Sequence, residues 1–246
     1  MSLPKLWYIP GWAAARDGDC HLVRKLRSDF QVEVIWLPDY GNPDAGAPTQ
    51  AIYAEAVAER LHRESSPVTV VGWSLGGMVA LEVAATVPSA LNGLVLLSTT
   101  AKFCSEDNRL FGPSPEAVAR MMASICPETL RRFFMTCYRP LRPCPAEVDA
   151  KVQGAFEASS DQLRLGLAYL LQADLRPILP DVQVPTIVIH GQEDAVVPVQ
   201  AAAELARTVR TIGPAILAGS GHMLPDICST KISDLAIGLG DPNRAQ

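Results

Sequence analysis

The sequence predicts an α/β fold: a mostly parallel sheet with helices on both faces and an inserted helical cap. Short, nearly continuous apolar runs alternate with helical segments, which is typical of buried parallel strands joined by helices. Between residues 101 and 176 the alternation stops and the pattern is helical throughout. The chain has 246 residues, 48% of them hydrophobic, which suits one domain with a sizeable core. We therefore expect a core formed by residues 1–100 and 177–246, with residues 101–176 as the cap.

The elements of the core follow from apolar periodicity and from turn residues. Apolar and β-branched runs predict strands at 5–9, 31–37, 67–73, 91–98, 184–191 and 215–217. Helical spacing predicts helices at 19–28, 49–63, 78–85, 199–209 and 227–239. Thr49 is the expected N-cap of the second of these helices.

The sequence G-x-S-x-G joins the third strand to the third helix, with Gly72, Ser74 and Gly76 in the required places. A serine on a strained strand-to-helix turn presents its hydroxyl above the sheet, and its neighbours two residues away must lack bulk for the turn to close. The N-terminus of the next helix points at that serine and favours developing negative charge. Ser74 is therefore a candidate nucleophile; the alternative is a glycine-rich turn whose serine only caps the helix.

A nucleophilic serine needs a base to take its proton, and the chain has four histidines. His21 and His62 lie on predicted surface helices, and His190 ends a strand, where a packing role or a turn contact is expected. His222 lies in a loop directly after the last predicted strand, at the sheet edge where open α/β sheets bind ligands. We therefore predict His222 as the base, although taken alone it would be read as a solvated loop residue.

The base in turn needs an acid that orients it, and Asp194 follows the 184–191 strand. Glu193 is the competing assignment, but the pattern strand–G-x-x-D–x-x-x-P places the aspartate within the loop itself. A purely structural alternative is that Asp194 helps to start the next helix. The order Ser74, Asp194, His222 is that of one hydrolase architecture and differs from the chymotrypsin and subtilisin orders.

Composition excludes several classes of function. The six cysteines form no C-x-x-C pair and no metal-ligand spacing, so we expect free thiols, a cytoplasmic location, and neither metal nor cofactor. A net charge of −5 argues against nucleic acid as a partner. No apolar run is long enough to span a bilayer, and the first residues lack the sections of a signal peptide. We expect a monomer that acts on a small substrate.

The chain resembles the α/β-hydrolase superfamily over nearly its full length. Residues 72–77 (GWSLGG), Asp194 and Gly221-His222 carry this resemblance. Within the superfamily it is similar to the pimeloyl-[acyl-carrier protein] methyl ester esterases of biotin synthesis, through Gly11-Trp12, residues 37–41 (LPDYG), residues 71–77 and the helical cap. One departure is Pro10, since relatives commonly have histidine before this glycine.

The resemblance implies a serine carboxylesterase that works through an acyl-enzyme. His222 would deprotonate Ser74, and the backbone N–H groups of Trp12 and Leu75 would stabilise the oxyanion. The Trp12 indole has an apolar pocket wall as its alternative role, and Trp73 either lines the acyl pocket or belongs to the core. A general short-chain carboxylesterase or thioesterase is the alternative activity, and a ligand-binding receptor of the same fold is the non-catalytic alternative.

Substrate choice is expected to come from the cap, where residues 131–142 contain four arginines and no acid. These are Arg131, Arg132, Arg139 and Arg142. A positive patch on an acidic protein attracts an acidic partner, and an acyl carrier protein with its phosphopantetheine arm is such a partner. The alternative is a solvated helix face whose arginine stems cover apolar residues.

Overall fold

In the part of the chain that the structure describes, one parallel sheet of six strands forms the centre of the molecule. The computed structural model describes residues 3–15, 20–37, 51–104, 112–157 and 160–239. The strands are β1 (Lys5–Ile9), β2 (Gln31–Val34), β3 (Val68–Trp73), β4 (Leu91–Leu97), β5 (Thr186–Gly191) and β6 (Thr211–Leu217). They pair in the order β2-β1-β3-β4-β5-β6, and every pair is parallel. The predicted fold class is confirmed.

Burial follows the position of each strand in the sheet. Every residue of β3 and β5 is buried, and β1 and β4 each have one exposed residue. The edge strands β2 and β6 are only partly covered. The central strands read as continuous apolar runs because helices cover them on both sides, which removes the need for a polar face.

The core helices are α1 (His21–Leu26), α2 (Ala51–Leu61), α3 (Leu75–Thr86), α8 (Gln200–Thr208), α9 (Leu224–Ile227) and α10 (Ser229–Leu239). Helix α3 packs on β1, β3 and β4 with α2 beside it, whereas α10 packs on β5 with α1 beside it. The glycines that follow Ser74 allow α3 to approach the sheet closely: a Cβ on Gly77 would lie 2.7 Å from the Thr99 side chain. The third helix therefore begins directly at the turn that carries Ser74.

Several predicted boundaries differ from the structure by a few residues, most clearly in the second strand, the last strand and the last helix. The second strand ends at Val34 instead of residue 37, and the last predicted helix is two helices, the first beginning at Leu224. The last strand begins at Thr211, four residues earlier than predicted, although it contains Gly213 and Pro214. Those residues indicate a turn in a sequence, but an edge strand tolerates both because one of its sides needs no ladder partner. Thr49 and residues 38–41 lie outside the described residues.

Among the residues described between β4 and β5, four α-helices are inserted. They are α4 (Pro115–Ala123), α5 (Pro127–Tyr138), α6 (Pro145–Glu157) and α7 (Ser160–Gln172), called the inserted helices below. The chain enters and leaves this segment at one place, because Lys102 pairs with Asp174 in an antiparallel bridge and the Leu175 N–H donates to the Ala101 carbonyl at 2.8 Å. The division into a core and a cap at residues 101 and 176 stays a prediction. Among the described residues, no helix has the length and apolar character needed to cross a bilayer.

Candidate active site

Ser74 occupies the sharp turn between β3 and α3. Its backbone has φ 55° and ψ −119°, a region that residues with a side chain rarely adopt and that costs about 1–3 kcal/mol. The turn leaves no room at its flanks: a Cβ on Gly72 would lie 2.6 Å from the Gly76 carbonyl oxygen, and one on Gly76 would collide with the Ile9 carbonyl. The Ser74 N–H donates to the Leu97 carbonyl at 2.9 Å, which holds the strained residue at the end of the sheet.

His222 and Asp194 complete a chain of hydrogen bonds that starts at the Ser74 hydroxyl. His222 Nε2 lies 2.9 Å from Ser74 Oγ, and His222 Nδ1 lies 2.8 Å from Asp194 Oδ2. The imidazole and the carboxylate are both buried. The loop after β6 reaches Ser74 because Gly221 packs directly against the Arg139 carbonyl, where no side chain would fit. The structure therefore brings together three residues that lie far apart in sequence.

The Asp194 carboxylate is held in its charged form. Burial by itself raises the pKa of Asp194, but His222, His190 and the Val197 N–H together outweigh burial and leave this pKa below its ordinary value. Oδ1 accepts hydrogen bonds from the N–H groups of Val196 and Val197, each at 2.8 Å, so Oδ2 is left to face the imidazole. A charged, oriented carboxylate keeps the Nδ1 proton of His222 in place and leaves Nε2 free to accept the serine proton.

Glu193, the competing acid, has a different set of contacts. It is exposed, its Oε2 accepts from the Ser220 N–H at 3.1 Å, and its own N–H donates to the Ser220 carbonyl at 3.0 Å. These two bonds tie the loop after β5 to the loop that carries His222. Glu193 therefore braces the His222 loop from outside.

A cavity of about 790 Å³ opens above Ser74, between the strand ends and the inserted helices. Its volume is within the range of small-ligand sites. Apolar side chains form most of its wall, from Phe103, Val118, Met121, Phe133, Leu167 and Leu170. Within the described ranges, no group of His, Cys, Asp and Glu side chains could hold a metal ion. The cavity therefore presents an apolar slot with a serine hydroxyl at one end.

Leu75 and Trp12, the two residues predicted to supply oxyanion donors, both lie beside the Ser74 turn. Leu75 is the first residue of α3, so its N–H is one of the free donors at a helix N-terminus. Trp12 follows Gly11, which lies close to the Ser74 turn: a Cβ on Gly11 would lie 3.2 Å from Ser74 Cβ. In the described part of the chain, neither N–H donates to a backbone carbonyl. The absence of a backbone acceptor is compatible with the predicted oxyanion role, which stays a prediction.

The Trp12 indole is fixed by the inserted helices. Its Nε1 donates to the Leu163 carbonyl of α7 at 2.8 Å, and its ring packs edge-on against Phe133 of α5, with 4.9 Å between the ring centres. The side chain also lines the cavity. The backbone and the indole of Trp12 are therefore suited to the two roles considered from the sequence.

Trp73 belongs to the core and does not line the cavity above Ser74. The side chain is buried, and its Nε1 donates to the His222 carbonyl at 3.0 Å. It contacts a second, smaller cavity of about 300 Å³ instead. Of the two roles considered for Trp73, the geometry favours the core role, in which the indole holds the backbone of His222.

The four arginines expected to act together point in different directions. Arg132 lines the cavity with Thr129, Phe133 and Thr136, which share one face of α5 by their i, i+3, i+4 spacing. Arg131 is turned about 100° away and forms an ion pair with Asp149 of α6. Arg139 and Arg142 are exposed beyond the end of α5.

Arg120 of α4 also lines the cavity, and sequence reasoning missed it. It is a single basic residue on a helix of ordinary composition, with no motif around it. In the described ranges, no carboxylate lies within ion-pair distance of Arg120 or Arg132. The cavity therefore has two exposed guanidinium groups from two different helices.

Comparisons with known proteins show the family of the chain. A family model described as the alpha/beta hydrolase family matches residues 8–227. A pimeloyl-[acyl-carrier protein] methyl ester esterase from Aromatoleum aromaticum is 29% identical, covering 97% of this chain and 100% of that protein. One from Xanthomonas oryzae pv. oryzae is 30% identical over 89% of this chain and 88% of that protein.

Solved structures show the same fold. An esterase from Exiguobacterium antarcticum superposes with a TM-score of 0.82 at 20% identity, covering 96% of this chain and 92% of that one. An enol-lactonase from Burkholderia xenovorans gives 0.80 at 16% identity, with 97% and 92% covered.

Proposed function

The chain belongs to the alpha/beta hydrolase family and is a carboxylic ester hydrolase, and from this premise we propose that it hydrolyses the methyl ester of pimeloyl-acyl carrier protein in biotin synthesis. The observation that carries the chemistry is the hydrogen-bond chain from Ser74 through His222 to Asp194 at the end of an apolar cavity. The substrate is proposed from the relatives, which are named as esterases of this compound.

The proposed reaction starts with the Ser74 hydroxyl. Oγ attacks the ester carbonyl carbon while His222 Nε2 takes the proton, and Asp194 stabilises the resulting imidazolium. The N–H groups of Leu75 and Trp12 donate to the oxyanion, and removing one such donor typically costs about 3 kcal/mol of transition-state stabilisation. Methanol leaves with the proton from His222, and water then hydrolyses the acyl-enzyme by the same steps in reverse order.

The shape and charge of the cavity support an acyl group with an anionic carrier. The apolar wall suits a methylene chain that extends from Ser74. We propose that Arg120 and Arg132 bind an anionic group beyond that chain, such as the phosphate of a phosphopantetheine arm, which arginine binds well. In this proposal the inserted helices are the cap, and Arg139 and Arg142 offer an acidic carrier protein a basic surface outside the cavity.

The test compares methyl pimeloyl-carrier protein, methyl pimelate and p-nitrophenyl butyrate as substrates at two salt concentrations, with Ser74→Ala as the blank. A preference in kcat/KM for the carrier-bound ester, weakened by salt, is expected. Arg132→Gln should lower kcat/KM for the carrier-bound ester about tenfold and leave p-nitrophenyl butyrate unchanged, since a charge-assisted bond contributes about 1.5 kcal/mol or more. Arg164→Gln on α7 is the matched control, because Arg164 is exposed and pairs only weakly with Asp161 at 3.5 Å.

A general short-chain carboxylesterase or thioesterase is the second candidate. It is favoured by the separation of the four arginines, of which only Arg132 lines the cavity. Equal kcat/KM values for the three esters, insensitive to salt and to Arg132→Gln, would support this candidate and reject the carrier-bound substrate. The receptor alternative is set aside because the chain is an ester hydrolase.

A further inference from the structure

His190 is a buried histidine that the proposed reaction does not use. It is the fifth residue of β5 and has no exposed surface. Its Nε2 lies 3.0 Å from the Val197 carbonyl oxygen and 3.5 Å from Asp194 Oδ2. That carboxylate oxygen is the one that also faces His222 Nδ1. A single ring nitrogen of His190 thus faces both the loop that carries Asp194 and the carboxylate itself.

The surroundings of His190 decide where its proton lies. Nε2 faces two oxygen atoms, one of them charged, so a lone pair there would be repelled and an N–H is favoured. Nδ1 is buried without a hydrogen-bond partner among the described residues, so a proton on it would be unsatisfied. Burial lowers the pKa of His190, although Asp194 opposes this change, and the ring therefore holds one proton. Nε2 is the donor.

We propose that His190 is a positioning residue, which acts on the reaction through Asp194 by fixing the 194–197 loop and sharing the charge on Oδ2. The proposal rests on the proposed role of the Ser74–His222–Asp194 chain. Two backbone N–H groups hold Oδ1, and His190 holds the opposite side of the same loop through the Val197 carbonyl. Because both sides of the loop are held, the Asp194 carboxylate keeps the side-chain conformation in which Oδ2 lies within hydrogen-bond distance of the His222 imidazole.

Loss of the His190 donor has a predictable sign. The titratable groups around it are Asp194 and His222, and the buried Cys137 thiol of α5 lies near Asp194 and stays protonated because burial raises its pKa. Without the His190 N–H, Oδ2 loses one donor dipole that faces it and attracts the imidazolium form of His222 more strongly. The base then becomes available only at higher pH, so the acid limb of the pH profile moves up.

The experiment uses His190→Leu, which removes the donor, and His190→Gln, whose amide N–H can replace Nε2. For p-nitrophenyl butyrate we expect His190→Leu to lower kcat about tenfold with KM unchanged, and to move the acid limb of kcat/KM up by about half a pH unit. His190→Gln should restore most of the wild-type kcat and most of the wild-type position of the acid limb. The control is Ile187→Ala, a buried residue at the other end of β5, which lowers the melting temperature without moving the acid limb.

A wild-type pH profile and kcat in a folded His190→Leu protein would overturn the proposal, as would a His190→Gln protein no better than His190→Leu. Nitrogen NMR of labelled wild-type protein tests the same point without a variant: the proposal requires a neutral His190 ring with its proton on Nε2, and a proton on Nδ1 would refute it. These readouts use a small ester, so a lack of activity on carrier-bound ester would contradict the proposed substrate and leave the role of His190 standing.

Discussion

Gly166 of α7 lies outside the Ser74 hydrogen-bond chain, yet its substitution by alanine should reduce activity strongly. A Cβ at this position would lie 2.6 Å from Trp12 Cδ1, 3.3 Å from Trp12 Nε1 and 3.4 Å from Leu75 Cδ1. Trp12 and Leu75 are the two residues whose N–H groups are proposed to bind the oxyanion. One added methyl group therefore presses on the Trp12 indole, while it meets the Leu75 side chain only at an ordinary contact distance.

The size of the effect follows from these distances. Ordinary contact requires 3.4 Å or more, so the indole and α7 must separate by about 1 Å. The indole cannot simply recede, because its Nε1 is bonded to Leu163 of the same helix and its ring packs against Phe133. A misplacement of about 1 Å at a reacting centre can cost roughly 10²-fold in rate. Stability should change less, since alanine gains about 1 kcal/mol in a helix and overpacking costs about 1–3 kcal/mol.

The assay measures kcat and KM for p-nitrophenyl butyrate, with urea unfolding as the stability readout. We expect kcat to fall about 10²-fold while the free energy of unfolding changes by less than about 2 kcal/mol. Gly238→Ala in α10 is the matched control, because a Cβ there meets nothing within 4 Å. A Gly166→Ala protein with wild-type kcat would show that Trp12 does not transmit a displacement to the oxyanion site, and the reasoning would fail.

Three further outcomes follow from the same geometry. Ser74→Gly and Ser74→Ala should both be inactive. The glycine variant should be about 1 kcal/mol more stable than the alanine variant, because only glycine tolerates the φ of 55° without strain. Equal urea midpoints for the two variants would show that the backbone at this position is not strained. Asp194→Asn should lower kcat about 10⁴-fold with the fold intact, since the imidazole loses its orienting charge, and a loss under tenfold would argue against this role. At the base of the inserted helices, Arg176 and then Lys102 lower the pKa of Asp174 to about 2, against the resistance of burial. A lowered pKa stabilises the fold above about pH 4, and that stability is lost as pH falls toward 2. Asp174→Asn should therefore lower the free energy of unfolding by less than about 1 kcal/mol at pH 7 and by less still at pH 2, and it should unfold at a slightly higher pH in an acid titration. A difference in unfolding free energy between variant and wild type that is the same at pH 7 and pH 2 would contradict the pairing.

The sequence predicted best those features that depend on neighbours along the chain. The strand, turn and helix around Ser74 are specified by the apolar run of β3 and by glycines that no other residue can replace. The candidate base and acid were found by elimination and by their place after strands, and the structure places both within hydrogen-bond distance of their partners. The prediction was incomplete at β6, which was expected to begin at residue 215 but begins at Thr211 and includes Gly213 and Pro214 as an edge strand.

The role of the inserted helices was harder to predict from the sequence, because it depends on which helix faces pack against each other. Four arginines within twelve residues suggested one surface, yet neighbouring positions on α5 point about 100° apart, so Arg131 pairs with Asp149 while Arg132 reaches the cavity. Arg120 has no sequence signal at all, since its place at the cavity comes from the packing of α4 against α7.

The sequence by itself determined the fold class, the family and the turn that carries Ser74, because strand burial, steric room and turn geometry act over a few residues and leave local patterns. The tertiary structure alone decided which side chains surround that turn: the indole of Trp12 bonded to α7, the contact of His190 with Asp194, and the arginines at the cavity. These contacts join segments up to 151 residues apart, and they arise from the docking of helices and loops, which sequence periodicity does not encode.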